Sequence, residues 1–346
     1  MRGSQEPKFA SINDRNSVPV AEHETIIICD GSNSGEVFTG FRGILSSTMG
    51  KLAKKGDIDD AYLRAFLDST FEVFNGAKTG AAIPHLDKEA LYALPFSYPP
   101  LLEQRRIVAI LDEAFEAIAT AKAHAEKNLR NAREVFESHL MKVFSARHSG
   151  WSDRVLSSLC IRITVGHVGS MANLYKPSGI PFLRSQNIRP FLVSMENLVF
   201  IDEAFHASLA KSSLAAGDLA IVRTGYPGTA AVIPESLGVA NCSDLVIVKP
   251  GPEVDPHFLA AFFNSSFGKG LVGAKLVGAA QKHFNVGAAK EVVLHLPPVV
   301  EQKNIVAAAM EIRDETESLA GYYQRKITAL DELKQTLLYQ AFSGQL

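Results

Sequence analysis

Three cysteines in 346 residues, Cys29, Cys160 and Cys242, are too few and too far apart for a disulfide framework or a thiolate metal site. Reduced, structural thiols in a cytoplasmic protein are the expectation. No apolar run reaches the length that crosses a bilayer, and no signal peptide is recognisable. An excess of one charge is lacking too: the net charge is −2. Residues 151–296 carry 12 Lys+Arg against 10 Asp+Glu, and residues 1–98 carry 10 against 13. Binding to a polyanion would therefore need a local patch or partners rather than bulk charge.

Catalytic patterns are also missing. There is no Gly-x4-Gly-Lys-Ser/Thr loop for a nucleotide-driven motor and no His-Glu-x-x-His or cysteine cluster for a metal. An amino-methyltransferase needs a Gly-rich cofactor loop after a strand and an Asn/Asp-Pro-Pro-aromatic motif to hold a flipped base. Neither occurs: the Pro-Pro pairs follow Tyr98 and Leu296. The expectation is a chain with no catalytic residue, no metal and no cofactor.

What is present is a repeat. The stretch beginning Pro99-Pro100-Leu101-Leu102-Glu103-Gln104 returns, 198 positions later and without a gap, as Pro297-Pro298-Val299-Val300-Glu301-Gln302. It continues through Ile107-Val108 and Ile305-Val306 to Phe144-Ser145 and Phe342-Ser343. Each copy predicts one long helix, since proline is tolerated in a first turn and a following Glu suits the positive end of the dipole. Apolar residues recur in steps of three and four from Ile107 to Phe136, and again along Ile305, Ala309, Ile312, Thr316, Leu319, Tyr323, Ile327 and Leu330. That is coiled-coil spacing. Both copies take two successive steps of four at 121–129 and 319–327, a shared stutter that suggests the helices pack on each other in register.

The intervening regions repeat as well. In the first, 25–29 reads as a strand, 30–35 as a turn-rich loop, 61–74 as an amphipathic helix and 92–96 as a strand. In the second, 180–188 reads as a strand and its exit, 217–223 as a turn and strand, 245–248 as a strand and 255–267 as an amphipathic helix. Gly150 should end the first long helix. Ile28 through Gly31 parallels Val222 through Gly225, and Gly80-Ala81-Ala82 with His85 parallels Gly278-Ala279-Ala280 with His283. The chain thus reads as a tandem duplication of globular region plus helix: 1–98, 99–147, 148–296 and 297–346. The first globular region is shortened at its start.

The segments Gly278-Ala279-Ala280-Gln281-Lys282-His283-Phe284, Leu296-Pro297-Pro298, Glu301-Gln302 and Ile305-Val306 carry a resemblance, as do Gly179 through Ile188 and the ending Ala341-Phe342-Ser343-Gly344-Gln345-Leu346. Together, in order and twice over, they resemble the specificity (S) subunit of type I restriction-modification systems. The resemblance implies an α/β (α+β) fold with two target recognition domains separated by two long antiparallel coiled-coil helices. It implies a non-catalytic adaptor that reads one half of a split DNA site with each domain. Its partners would be double-stranded DNA, two modification (methyltransferase) subunits docked on the helices, and restriction (endonuclease/translocase) subunits, with no membrane. The competing reading is a coiled-coil protein-interaction scaffold without DNA readout.

Candidate DNA-facing residues follow from side-chain chemistry. Arg223, Thr224 and Tyr226 leave a strand in a Gly loop, offering an arginine for guanine or phosphate, a hydroxyl and an aromatic; an ordinary hairpin turn explains them too. Gln186 and Asn187 can pair with adenine edges and Arg184 sits beside them, but an exposed strand end is the alternative. Lys282 or His283 suits a phosphate, although His85 and His283 read first as structural residues at a domain–helix junction. Ser32 and Asn33 occupy the corresponding loop of the first region, which lacks a basic residue.

Overall fold

The computed structural model of the chain describes residues 17–76, 85–171, 173–276 and 283–346. The repeated Gly-Ala-Ala segments at 80–82 and 278–280 lie outside them. The fold is mixed α and β, with two helices far longer than the rest, Leu101–Ser145 and Val299–Phe342. The chain divides into two compact units, and each long helix contributes to both. One unit is Asn128–Tyr322; the other joins the described residues up to Lys127 with Tyr323–Leu346.

In the Asn128–Tyr322 unit, two four-stranded sheets carry the globular part. One is ordered Ala230–Val232, Leu219–Val222, Leu245–Pro250, Cys160–Val165, all antiparallel. The other is ordered Val199–Ile201, Ile180–Leu183, Ala240–Cys242, Ser213–Leu214, with one parallel pair. The runs 219–222 and 245–248 are apolar at every position because the first sheet is covered on both faces. Ala220, Val222, Leu245 and Ile247 share a core with Leu183, Leu214 and Cys242 of the other sheet. Leu219, Ile221, Val246 and Val248 turn to Phe258, Phe262 and Phe263 and to Leu140 and Phe144 of the first long helix. Phe258 and Phe263 are fully buried, stabilising by roughly 1.5–3 kcal/mol each.

The other unit repeats that scaffold. Ile26–Ile28 pairs antiparallel with Val37–Phe38 and Met49–Lys51. Ile27 faces Val37 and Ile28 faces Met49, as Ile221 faces Ala230 and Val222 faces Leu245 in the larger unit. The helix Asp60–Gly76 then packs Leu67 on Ile27 and Val37. Behind this lies a smaller core in which Tyr62 meets Ile107 and Leu111 at the start of one long helix and Leu338 and Ala341 near the end of the other. In the larger unit Leu140 and Phe144 share a core with Ala309 in the mirrored arrangement. Within each unit the long helices are therefore antiparallel neighbours.

The most repeated detail is a glutamine. Gln104 is buried, accepts from the Asp59 backbone N–H at 2.8 Å, and donates to the carbonyls of Asp57 and Pro99 at 2.9 and 2.7 Å. Gln302 is likewise buried, accepts from the Asp255 N–H at 2.8 Å, and donates to the carbonyls of Glu253 and Pro297 at 3.0 and 2.8 Å. Each thus ties the first turn of its long helix to the loop that starts the globular region's own helix.

Four local expectations are corrected. The first long helix ends at Ser145, not at Gly150, and His148 turns back to the Val143 carbonyl at 3.2 Å. Residues 88–93 are a helix where 92–96 was expected as a strand; Asp87 caps it by accepting from Ala90 N–H at 2.9 Å. The equivalent Val286–Lys290 is a helix too, capped by Asn285 accepting from Ala288 N–H at 2.8 Å, and the strand comes after it at Val293–Leu296, where Ser152–Val155 pairs with it. The expected helix 255–267 is two, Pro256–Asn264 and Ser266–Ala274, since Ser265 is extended and its hydroxyl caps the second through Gly268 N–H at 3.0 Å. The strand and its exit expected over 180–188 are Ile180–Leu183 and a 3-10 turn at Ser185–Asn187. Leu319 is 44 % exposed rather than on the inner stripe; Ala320 turns partly inward beside it.

Candidate nucleic-acid interface

At one end of the larger unit's sheets, four backbone bonds tie neighbouring loops. Gly166 N–H donates to Leu245 O at 2.8 Å and His167 N–H to Cys242 O at 2.8 Å. Ser243 N–H donates to Leu183 O at 3.0 Å and Asp244 N–H to His167 O at 3.2 Å. The approach needs a glycine at 166, because a Cβ there would lie 2.8 Å from Cys242 Sγ and 2.9 Å from its carbonyl oxygen. The stretches around Arg184 and Arg223, 39 positions apart in sequence, are thereby brought to the same end of the sheets.

Arg223 follows the strand Leu219–Val222, and the loop closes when Gly228 N–H donates to Val222 O and Val222 N–H to Thr229 O. Its Nη1 donates to Asp244 Oδ1 at 3.0 Å, while Thr224 Oγ1 donates to Asp244 Oδ2 at 2.7 Å. Asp244 stands at φ +54°, a left-handed conformation that Asp tolerates better than most residues. The guanidinium side chain is 15 % exposed and the carboxylate 45 %. Tyr226, on the same loop, is 80 % exposed.

Arg184 donates from Nη2 to Asn197 O at 2.5 Å and lies 5.7 Å from the centre of the Tyr175 ring. Gln186 is exposed. Asn187 is not available to a base: it is fully buried, accepts from Arg184 N–H at 3.1 Å, and donates to Ser194 O and Glu196 O, both at 3.1 Å. Its adenine-like edge is spent on backbone because the turn at 184–196 has no ladder partner for those groups. Lys282 lies outside the described residues. Phe284 N–H donates to Arg223 O at 3.0 Å, so Phe284 borders the Arg223 loop.

In the smaller unit the equivalent bond runs from Leu86 N–H to Cys29 O at 2.7 Å. Ser32 and Asn33 are exposed at the tip of the loop, the hydroxyl 3.5 Å from Asn33 Oδ1. Beside them Asp30 pairs with His85 Nδ1 at 2.7 Å. Asp244 is the residue that reading from sequence misses. The signal was there: a polar Asn241-Cys242-Ser243-Asp244 run immediately before an apolar strand marks a turn at that strand's mouth.

Among the described residues no group of three or more His, Cys, Asp or Glu is placed to hold a metal ion, and no helix is long and apolar enough to cross a membrane. Burial pushes the Cys160 thiol up to about 12 and raises those of Cys242 and Cys29, so all three are protonated thiols near neutral pH.

The family model described as the type I restriction modification DNA specificity domain matches residues 10–129. A type I restriction enzyme specificity subunit of Methanocaldococcus jannaschii, MjaVIII, is 24 % identical over 98 % of this chain and 82 % of its own length. The EcoBI specificity subunit of Escherichia coli is 19 % identical over 94 % of this chain and 74 % of its own length. Among solved structures, a chain from a study of the assembly and conformational transition of the type I R-M system superposes with a TM-score of 0.77 at 18 % identity, covering 95 % of this chain and 83 % of that one.

Proposed function

The chain belongs to the specificity-subunit family of type I restriction-modification systems, and on that premise we propose that it reads DNA sequence for such a complex. The observation that carries this is the match to curated specificity subunits along nearly the whole chain. It is a non-catalytic subunit; methyl transfer and cleavage belong to its partners. The larger unit reads its part of the site with the loop end that holds Arg184, Gln186, Arg223, Thr224 and Tyr226, and Lys282 is proposed as a phosphate contact from its side-chain chemistry alone. The smaller unit offers Ser32 and Asn33 to a second half-site. Its work lies with DNA in the cytoplasm.

Partner docking follows the repeat. The exposed apolar side chains Leu102, Val135 and Met141 recur 198 positions on as Val300, Leu333 and Tyr339, all exposed as well. Water-facing apolar positions kept in both copies favour two docked copies of one modification subunit, with restriction subunits joining that complex. The test is methylation mapping with the chain, its modification subunits and S-adenosylmethionine. Sequence-selective methylation by the complex, and none by the pure chain, is the expected result. Methyl transfer by the chain alone, or unselective methylation by the complex, would refute it.

A further inference from the structure

Arg223 and Asp244 form a donor–acceptor pair whose polarity matches one base pair. We propose that the two together read a single G·C pair through the major groove, Arg223 donating to guanine and Asp244 accepting from the cytosine amino group. The inference rests on the DNA-reading function proposed above and assigns chemistry to two of its residues.

Three observations support it. First, a phosphate anchor needs net positive charge. Arg223 has its Nη1 on the Asp244 carboxylate at 3.0 Å, so the pair offers phosphate no net charge, and an unneeded carboxylate there would repel the backbone. Second, the carboxylate is not used up. Each oxygen accepts one bond, from Arg223 Nη1 and Thr224 Oγ1, while a carboxylate can take about four, and this one is 45 % exposed. Third, the spacing suits the target. In a G·C pair guanine O6 accepts from cytosine N4, so an acceptor and a donor stand side by side about 2.9 Å apart on the major-groove edge. Arg223 Nη1 and Asp244 Oδ1 present the complementary order at 3.0 Å. An A·T pair presents a donor and an acceptor there too, but lacks the two adjacent acceptors, O6 and N7, that an arginine fork takes on guanine.

Asp244 also aims Arg223. Its N–H is held by His167 O and its carboxylate by Thr224, so the guanidinium is fixed from a neighbouring loop rather than by its own flexible stem. A purely structural bridge between the two loops would account for the same contacts. The two roles separate by what Asp244→Asn does, since Asn keeps the shape and tolerates the left-handed backbone but drops the charge.

The experiment compares methylation maps of the full chain, assembled with its modification subunits, for the parent, Arg223→Ala and Asp244→Asn. Binding to random duplex DNA is measured for each across salt concentration. The parent map should contain one position at which G·C is required. Both variants should relax that same position by about tenfold or more and leave the others as they were. Asp244→Asn should also bind random duplex more tightly, its log K against log salt slope steeper by about 0.9, because it releases one cation to phosphate. Unchanged preferences in both variants, a relaxed A·T position, or loss spread evenly over all positions would overturn the pairing. If Arg223→Ala unfolds, Arg223→Lys keeps the charge without the fork and is read by the same criterion. A parent complex with no sequence preference would instead overturn the proposed function; a selective parent without such a position overturns only this pairing.

Discussion

Gln302 holds the Asp255 backbone: its Oε1 accepts the Asp255 N–H at 2.8 Å while its Nε2 donates to two carbonyls, those of Glu253 and Pro297. Asp255 is itself the cap of Pro256–Asn264, accepting from His257 and Phe258 N–H at 2.8 and 3.1 Å. One amide therefore fixes where the helix that backs the sheet begins relative to the long helix. Gln302→Ala removes the shared partner of three backbone groups, of which the Pro297 carbonyl is buried, and should destabilise the protein by roughly 1–3 kcal/mol. Gln302→Glu should be worse, because an acceptor then faces two carbonyls. Denaturant unfolding of both, alongside Gln104→Ala, checks this; equal midpoints for parent and Gln302→Ala would show the amide to be dispensable.

Asn187 supports a turn rather than touching a base. Asn187→Asp loses the donor to Ser194 and Glu196 and should lower stability by roughly 1–3 kcal/mol. The base preferences of the complex should be unaltered wherever it still folds. A changed methylation motif in stable Asn187→Asp protein would contradict the placement.

Leu102→Asp and Val300→Asp probe partner docking. Both sites are exposed, so the lone chain should unfold within about 0.5 kcal/mol of the parent. On the proposed docking of two modification subunits, each substitution should leave a complex with one, counted against the parent by native mass spectrometry. Full stoichiometry in both variants would move the docking site elsewhere.

Cys160 gives a pH prediction with a definite sign. Its ordinary value near 9 applies to the unfolded chain, and burial raises it to about 12 in the native fold. Below pH 9 the thiol is neutral in both states and contributes no pH dependence. Above pH 9 the unfolded chain sheds the proton and the native fold keeps it, so stability falls as pH rises towards 12. Cys160→Ala should show a shallower decline between pH 9 and 11 in urea midpoints; an identical slope would assign the alkaline loss to other groups.

The repeat, the long helices and the central strands were legible in sequence because each is written in a long periodic or continuous apolar run. Ile26–Ile28, Leu219–Val222 and the stripe from Ile107 to Ala132 are of that kind. What was not legible depends on a distant partner. The counterparts of Val293–Leu296 are residues 95–98, which form no strand; Val293–Leu296 does because Ser152–Val155 lies beside it. The break at Ser265 is local, but it is coupled to Asn264, whose amide pairs with both backbone groups of Ala230. Of the candidate site, the Arg223 loop could be picked out as a strand exit with an arginine. Its partner Asp244 is 21 residues on and is recognisable only once the loops are seen tied together. Asn187 looked like a reader for the same reason it is a good turn-former: Asn offers a donor and an acceptor on one small group.

The two sheet hairpins close on the same backbone bonds around loops of different size. In one, Gly35 N–H reaches Ile28 O and Ile28 N–H reaches Glu36 O; in the other, Gly228 N–H reaches Val222 O and Val222 N–H reaches Thr229 O. The first loop is one residue longer, yet the strands on either side keep one register. Mutation and recombination can accordingly rewrite the tip without renegotiating the frame that carries it. These loops are, in that sense, a replaceable part on an inherited frame.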